Sequence, residues 1–227
     1  PADFEPRSFD GPLVPVETKT MPSGEFGPGY SSIYSTTFHF HVPAGTATLP
    51  LRLTPRNWKE GREVRVTVDD PSGQTVLEQS CPALARDVPA QTHRLEIPTR
   101  RPGLYRVRVF DQKNGFVLTP PEGIAMCFAP FRPLGWVRAY FHVPKGLKTL
   151  AIYNPPRNVA ATLFNPDGEP TELKPGDGPL HVIAVPEGKD GRAWSLRRPG
   201  GGPVRLLNAP SVFSLSPDAM LIPEDAR

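Results

Sequence analysis

The sequence contains little cysteine and no long apolar segment, and both shortages narrow the classes of protein it can encode. Its two cysteines, Cys81 and Cys127, are too few among 227 residues to cross-link a disulfide scaffold. They can form one disulfide or remain two half-buried thiols. No apolar run approaches the roughly 20 residues that span a bilayer, so we predict no membrane span.

An excess of charge of one sign is also missing. The net charge is +3, and acidic and basic residues are mixed along the chain. No lysine or arginine block and no basic helix with interleaved aromatics is present, which argues against nucleic-acid binding. The sequence also lacks a nucleophile elbow and the phosphate-binding and dinucleotide fingerprints. These absences favour a protein that is not an enzyme. They do not exclude a pair of catalytic carboxylates.

Proline and glycine, by contrast, are abundant, with 31 and 20 residues. Proline breaks helices, and both residue types suit tight turns. Between turn signals about every 8–12 residues, apolar and polar side chains alternate, which is typical of antiparallel sandwiches. The predicted fold class is therefore all-β. In the first half we predict strands over 33–42, 48–53, 63–68, 75–78, 92–97, 104–110, 116–118 and 124–128.

The second half of the sequence repeats motifs of the first half in the same order. Phe-His-Val-Pro-x-Gly occurs at 40–45 and again at 141–146. Asp/Asn-Pro-x-Gly occurs at 70–73 and again at 165–168. Recurrence of motifs at a similar spacing indicates repeated structural units. We therefore predict two tandem antiparallel β-sandwich domains of jelly-roll type.

A short proline-rich segment over 129–135 separates the two copies and predicts the domain boundary. We predict an extended lead-in over 1–30, a first β-sandwich module over 31–130 and a second module over 131–227. The second module repeats the first with shorter loops. Phe131 in the connecting segment is apolar, which predicts that the modules pack together.

The repeated motifs resemble the bacterial pre-peptidase C-terminal domain and related jelly-roll modules attached to secreted hydrolases. Residues 38–45 match its aromatic-x-Phe-x-Val-Pro-Ala-Gly strand, 70–73 its Asp-Pro-x-Gly hairpin and 102–109 its Gly-x-Tyr-x-Val-Arg-Val strand. Residues 185–196 also resemble terminal β-sandwich modules of secreted polysaccharide-degrading proteins. These resemblances imply a secreted or periplasmic accessory module pair without catalysis. Its partner would be a polysaccharide, or a neighbouring catalytic domain that it positions.

Two alternative functions stay open. The pair can be a structural or protein-interaction unit, because a sandwich fold does not specify function. It can also be a metal-dependent enzyme centred on His39 and His41, which share one face of a strand. A divalent metal held there would need a third ligand such as His93. The simpler interpretation is that these histidines form the polar outer face of a strand and bind no metal. No other cofactor is expected.

Aromatic side chains are the stronger indication of a ligand site. Trp58 lies in a polar loop, where its ring has no obvious core to enter, and Tyr30 and Tyr34 flank the first strand. Exposed rings can stack on the apolar faces of sugars, so these three are the predicted ligand-binding residues. Trp136 and Trp194 lie in predicted strands and are expected in the core. We therefore expect a specific site in the first module and a scaffold role for the second.

Overall fold

The computed structural model describes residues 4–16, 30–32, 35–56, 62–82, 84–85, 87–133, 135–155, 160–200 and 202–227. Two short 3-10 helices, Pro175–Asp177 and Glu224–Ala226, accompany the strands, and no described helix is long and apolar enough to cross a membrane. The strands in chain order are β1 (Leu13–Val16), β2 (Tyr30–Ser32), β3 (Thr36–Val42), β4 (Thr48–Pro55), β5 (Glu63–Asp69), β6 (Thr75–Pro82), β7 (His93–Pro98), β8 (Gly103–Phe110), β9 (Phe116–Thr119), β10 (Ala125–Ala129), β11 (Val137–Val143), β12 (Thr149–Tyr153), β13 (Ala161–Phe164), β14 (Pro170–Leu173), β15 (Leu180–Ala184), β16 (Arg192–Arg198), β17 (Arg205–Leu206) and β18 (Met220–Pro223).

The strands of the described residues form four sheets, which confirms the predicted all-β class. In the first half the sheets have the orders β10-β3-β8-β5-β6 and β2-β9-β4-β7. In the second half the orders are β11-β16-β13-β14 and β15-β12-β17. The order β3-β8-β5-β6 in the first half matches the order β11-β16-β13-β14 in the second half. Strands at corresponding positions along the chain therefore occupy corresponding positions in the sheets. The division into two tandem domains stays a prediction.

The repeated Asp/Asn-Pro-x-Gly motifs fold into the same turn. Asp70 and Asn165 each begin a turn, and the side-chain Oδ1 of each accepts hydrogen bonds from the backbone N–H groups two and four residues later, at 2.9–3.0 Å. Gly73 and Gly168 adopt φ values of 84° and 86°, which favour glycine. Asp70 therefore serves the backbone of the hairpin, as turn chemistry predicts.

One hydrophobic cluster runs through both halves of the chain. Tyr30 and Phe128 pack with ring centroids 4.4 Å apart, and Phe128 lies 6.2 Å from Phe131. Phe131 packs 4.9 Å from Phe213, which in turn lies 5.8 Å from Phe141 of β11. A continuous series of buried rings, which includes Phe131, thus joins the inner faces of the two halves.

The first and last strands of the described chain pair with each other and extend the large sheet of the first half. β1 pairs antiparallel with β18, and β18 pairs parallel with β10. All four residues of β18 are buried. Met220 and Ile222 of β18 pack with Tyr140 of β11, and Val16 of β1 joins this cluster. The paired terminal strands therefore cover one end of a sheet in the second half.

The segment before β18 differs from its sequence-based expectation. Ser216 followed by Pro217 predicts a helical turn, because the serine can cap and proline suits the first helical position. The structure has a single turn there, in which Ser216 Oγ accepts a hydrogen bond from Asp218 N at 3.3 Å. The apolar residues that follow form the strand β18, because they extend the sheet beside β10.

Cys81 and Cys127 are free and buried in the structure. Cys81 lies on β6 and Cys127 on β10, which are four strand positions apart in one sheet. At a spacing of about 4.8 Å per strand, the two Cα atoms lie far outside the ~7 Å limit for a disulfide. The alternative of two free thiols is therefore the one the structure supports.

Both thiols should be unreactive in the folded protein. Burial raises the pKa of Cys81 to about 11 and raises that of Cys127 further, and the thiolate is the reactive form. A chromogenic disulfide reagent is expected to label neither cysteine in native buffer and both in denaturant. Rapid labelling of Cys127 in the native protein would contradict its burial.

Candidate functional site

The outer face of the β11 sheet is built by simple alternation along one strand. Val137, Ala139 and Phe141 point into the core, so the intervening side chains Arg138 and Tyr140 point outward. Trp136 directly precedes β11 and belongs to the outward set. β16 lies next to β11, and its Arg197, Ser195 and Ala193 stand opposite the outward residues of β11. This arrangement places arginine and aromatic side chains on one side of a sheet.

Arginine and aromatic side chains on this face are interleaved in space. Arg197 Cζ lies 4.6 Å from the centroid of the Trp136 ring. Arg138 Cζ lies 4.2 Å from the centroid of the Phe164 ring, and its Nε donates a hydrogen bond to Ser195 Oγ at 2.9 Å. Cation–π contacts and this hydrogen bond fix both guanidinium groups against the sheet. We call these five residues the Trp136 face.

The Trp136 face combines two kinds of binding group. Trp136 is 52% exposed, so a large part of its indole ring is open to solvent. Arg138, Phe164 and Arg197 are partly exposed around it. A flat ring can stack on an apolar ligand face, while guanidinium groups donate paired hydrogen bonds to carboxylates. The arrangement is suited to noncovalent recognition, and no nucleophile–base pair belongs to this face.

The same outer face is closed at the other end of β11. Tyr140 and His142 are 3% and 4% exposed because the terminal strands lie over them. Beside His142 a cavity of about 450 Å³ remains between β1, β18 and the turn after β11. The face therefore has an open aromatic end and a covered end, beside which a pocket opens to solvent.

The predicted ligand-binding aromatics of the first half do not form an exposed cluster among the described residues. Tyr30 is 0% exposed, and its hydroxyl accepts a hydrogen bond from Arg132 N at 2.9 Å. Burial raises the pKa of Tyr30 to about 12. A ring without exposed surface has no face for a sugar to stack on, so Tyr30 is corrected from a ligand residue to a core residue. Trp58 and Tyr34 lie outside the described residues.

The predicted histidine set is not assembled. His39 and His41 lie on the outer face of β3, whereas His93 lies on β7 of the opposing sheet, on the inward side with Leu95. Burial and the neighbouring Arg106 lower the pKa of His39, and that guanidinium also repels a metal cation. Within the described part of the chain, no three His, Cys, Asp or Glu side chains group closely enough to hold a metal ion.

The two tryptophans expected in the core have different positions. Trp194 is 2% exposed and donates its Nε1–H to Lys189 O at 2.9 Å, so the prediction is confirmed for it. The prediction is wrong for Trp136, whose position in the alternation matches Arg138 rather than Val137. That parity is the sequence signal that identifies Trp136 as an outward residue.

Comparisons with known proteins add no relative: no family model, curated protein or solved structure matches this chain. The resemblance to pre-peptidase C-terminal modules therefore stays a prediction. The Trp136 face and the cavity beside His142 are therefore the features that point to a function.

Proposed function

We propose that this chain is a non-catalytic pair of β-sandwich modules that binds acidic polysaccharide through the Trp136 face. The exposed Trp136 ring, stacked against Arg197 on an otherwise regular sheet, is the observation that carries the proposal. A secreted or periplasmic setting and a role in holding a catalytic neighbour on its polymer are parts of the same proposal.

The chemistry of the face favours an acidic glycan over a neutral one. The exposed Trp136 ring offers a surface to the apolar faces of sugar residues. The guanidinium groups of Arg138 and Arg197 lie over the Phe164 and Trp136 rings. Guanidinium groups pair with carboxylates by parallel hydrogen bonds, which are stronger than hydrogen bonds to uncharged groups. A glycan that carries uronic acid residues would therefore use both parts of the face.

Affinity electrophoresis in native gels tests this function. We expect polygalacturonate in the gel to retard the protein and hydroxyethylcellulose to retard it less. Trp136→Ala should weaken binding roughly tenfold or more, because exposed tryptophans in binding sites commonly contribute over 1.4 kcal/mol. Retardation should also decrease with added salt, which screens exposed charges.

Phe110→Ala is the matched control for this experiment. Phe110 is 51% exposed, nearly the same as Trp136 at 52%, but lies on β8 in the first half. We expect its retardation to equal that of the wild type. If no polysaccharide retards the wild type, or if both variants lose retardation equally, the proposal fails and the structural or protein-interaction alternative gains support.

A further inference from the structure

The cavity beside His142 has the size and position of a small-molecule site. It is bounded by Val16 of β1, Ile222 of β18 and His142 of β11, with Lys145 and Arg227 also lining it. Its volume of about 450 Å³ falls within the range of roughly 300–1,000 Å³ that is usual for ligand pockets. The site exists only because the terminal strands pair across the outer face of the second half.

His142 provides a polar group without a protein partner at this site. The side chain is 4% exposed, and neither ring nitrogen has a hydrogen-bond partner among the described residues. Buried polar groups are almost always hydrogen-bonded, so the unpartnered imidazole that lines this cavity is a candidate contact for a ligand group. A neutral imidazole offers one N–H donor and one acceptor nitrogen, and a hydroxyl can pair with either.

The charged groups around the cavity are cationic. Lys145 and Arg227 line it, and one terminal nitrogen of Arg227 donates to Pro15 O at 2.9 Å, which holds that side chain at the rim. No acidic side chain lines the cavity among the described residues. The nearby carboxylate of Asp190 accepts a hydrogen bond from Gly146 N at 2.6 Å. It also interacts electrostatically with Lys145 and Lys148. The cations Lys145 and Arg227 at the cavity still outnumber this one carboxylate. An anionic ligand group therefore complements the cavity.

We propose that this cavity binds a small hydroxycarboxylate of the sugar-acid class. The carboxylate pairs with Lys145 and Arg227, a hydroxyl meets the imidazole of His142, and the carbon skeleton lies against Val16 and Ile222. The same group can come from a free sugar acid or from the end residue of an acidic polymer. The site is separate from the Trp136 face, because Tyr140 between them is covered by the terminal strands.

Titration followed by the imidazole nitrogen resonances of His142 tests the site directly. D-glucuronate is the probe, D-glucose is its uncharged analogue, and acetate supplies charge without hydroxyls. We expect saturable shifts with glucuronate, weaker binding of acetate and no binding of glucose. Lys145→Met should weaken glucuronate binding about tenfold, the effect of losing one charge-assisted hydrogen bond. Lys148→Met, which removes a nearby lysine outside the cavity, should leave binding unchanged.

The outcomes separate this site from the proposed polysaccharide function. Trp136→Ala should bind glucuronate as the wild type does while losing polygalacturonate. The proposal is overturned if the His142 resonances do not respond to glucuronate, if glucose binds as tightly, or if Lys145→Met binds like the wild type. If Trp136→Ala abolishes glucuronate binding, the sugar acid binds at the open face and the cavity is not its site.

Discussion

Phe213→Ala is expected to lower the free energy of unfolding by about 3–5 kcal/mol, the usual cost of removing a buried phenylalanine ring. The Phe213 ring is 1% exposed and contacts Phe128, Phe131 and Phe141. These partners come from both halves of the chain, so the cavity left by the ring lies where the halves join. Urea denaturation followed by circular dichroism and tryptophan fluorescence gives the loss.

The same experiment tests whether the halves unfold together. Because one hydrophobic cluster contains residues of both halves, we expect a single transition in the wild type with coincident midpoints by both probes. Phe110→Ala, which removes an exposed ring, serves as the control and should change stability by less than about 1 kcal/mol. Two separate wild-type transitions, with Phe213→Ala shifting neither, would contradict the joined core.

Acid should destabilise the protein between about pH 6.5 and pH 4, and His142 should account for much of this loss. Burial lowers the pKa of His142 from 6.5 to about 4. Above pH 6.5 the imidazole is neutral in both the folded and the unfolded chain, so its contribution is fully present. As the pH falls towards 4, the unfolded chain binds the proton first, which costs on the order of 3 kcal/mol of stability.

Urea unfolding at neutral pH and near pH 4 measures this loss. His142→Phe should show a smaller loss, because the phenyl ring does not titrate. Comparing the variant with the wild type removes the contributions of other titrating groups that the two share. His41→Gln is the control, since His41 holds the corresponding place on β3 without a cover of terminal strands. An equal acid loss in wild type and His142→Phe would show that His142 does not have the buried environment described above.

Strand positions could be predicted closely because they depend on local alternation. The predicted strand over 48–53 corresponds to β4, and that over 104–110 begins one residue inside β8. The repeated hairpin motif also predicted its own turn, because an Asx side chain and a glycine determine the backbone there. Such features need only neighbouring residues, so the sequence contains the necessary information.

The candidate sites could not be predicted in the same way, because they depend on which outer faces are covered. Alternation puts His41 and His142 in equivalent outward positions, yet only His142 lies under the terminal strands. The cover arises from pairing between β1 and β18, which are about 200 residues apart in the chain. No local sequence feature of either segment predicts that pairing. The outward position of Trp136, by contrast, could have been predicted, because Trp136 shares the alternation of Arg138.

The most direct test of polysaccharide binding by the Trp136 face is a backbone amide NMR titration with an oligogalacturonate. We predict that the shifted amides lie on β11, β13 and β16, centred on Arg138, Phe164 and Ser195, and that Trp136→Ala removes the shifts. Shifts confined to the outer face of β3 and β8, or none at saturating oligosaccharide, would contradict the account.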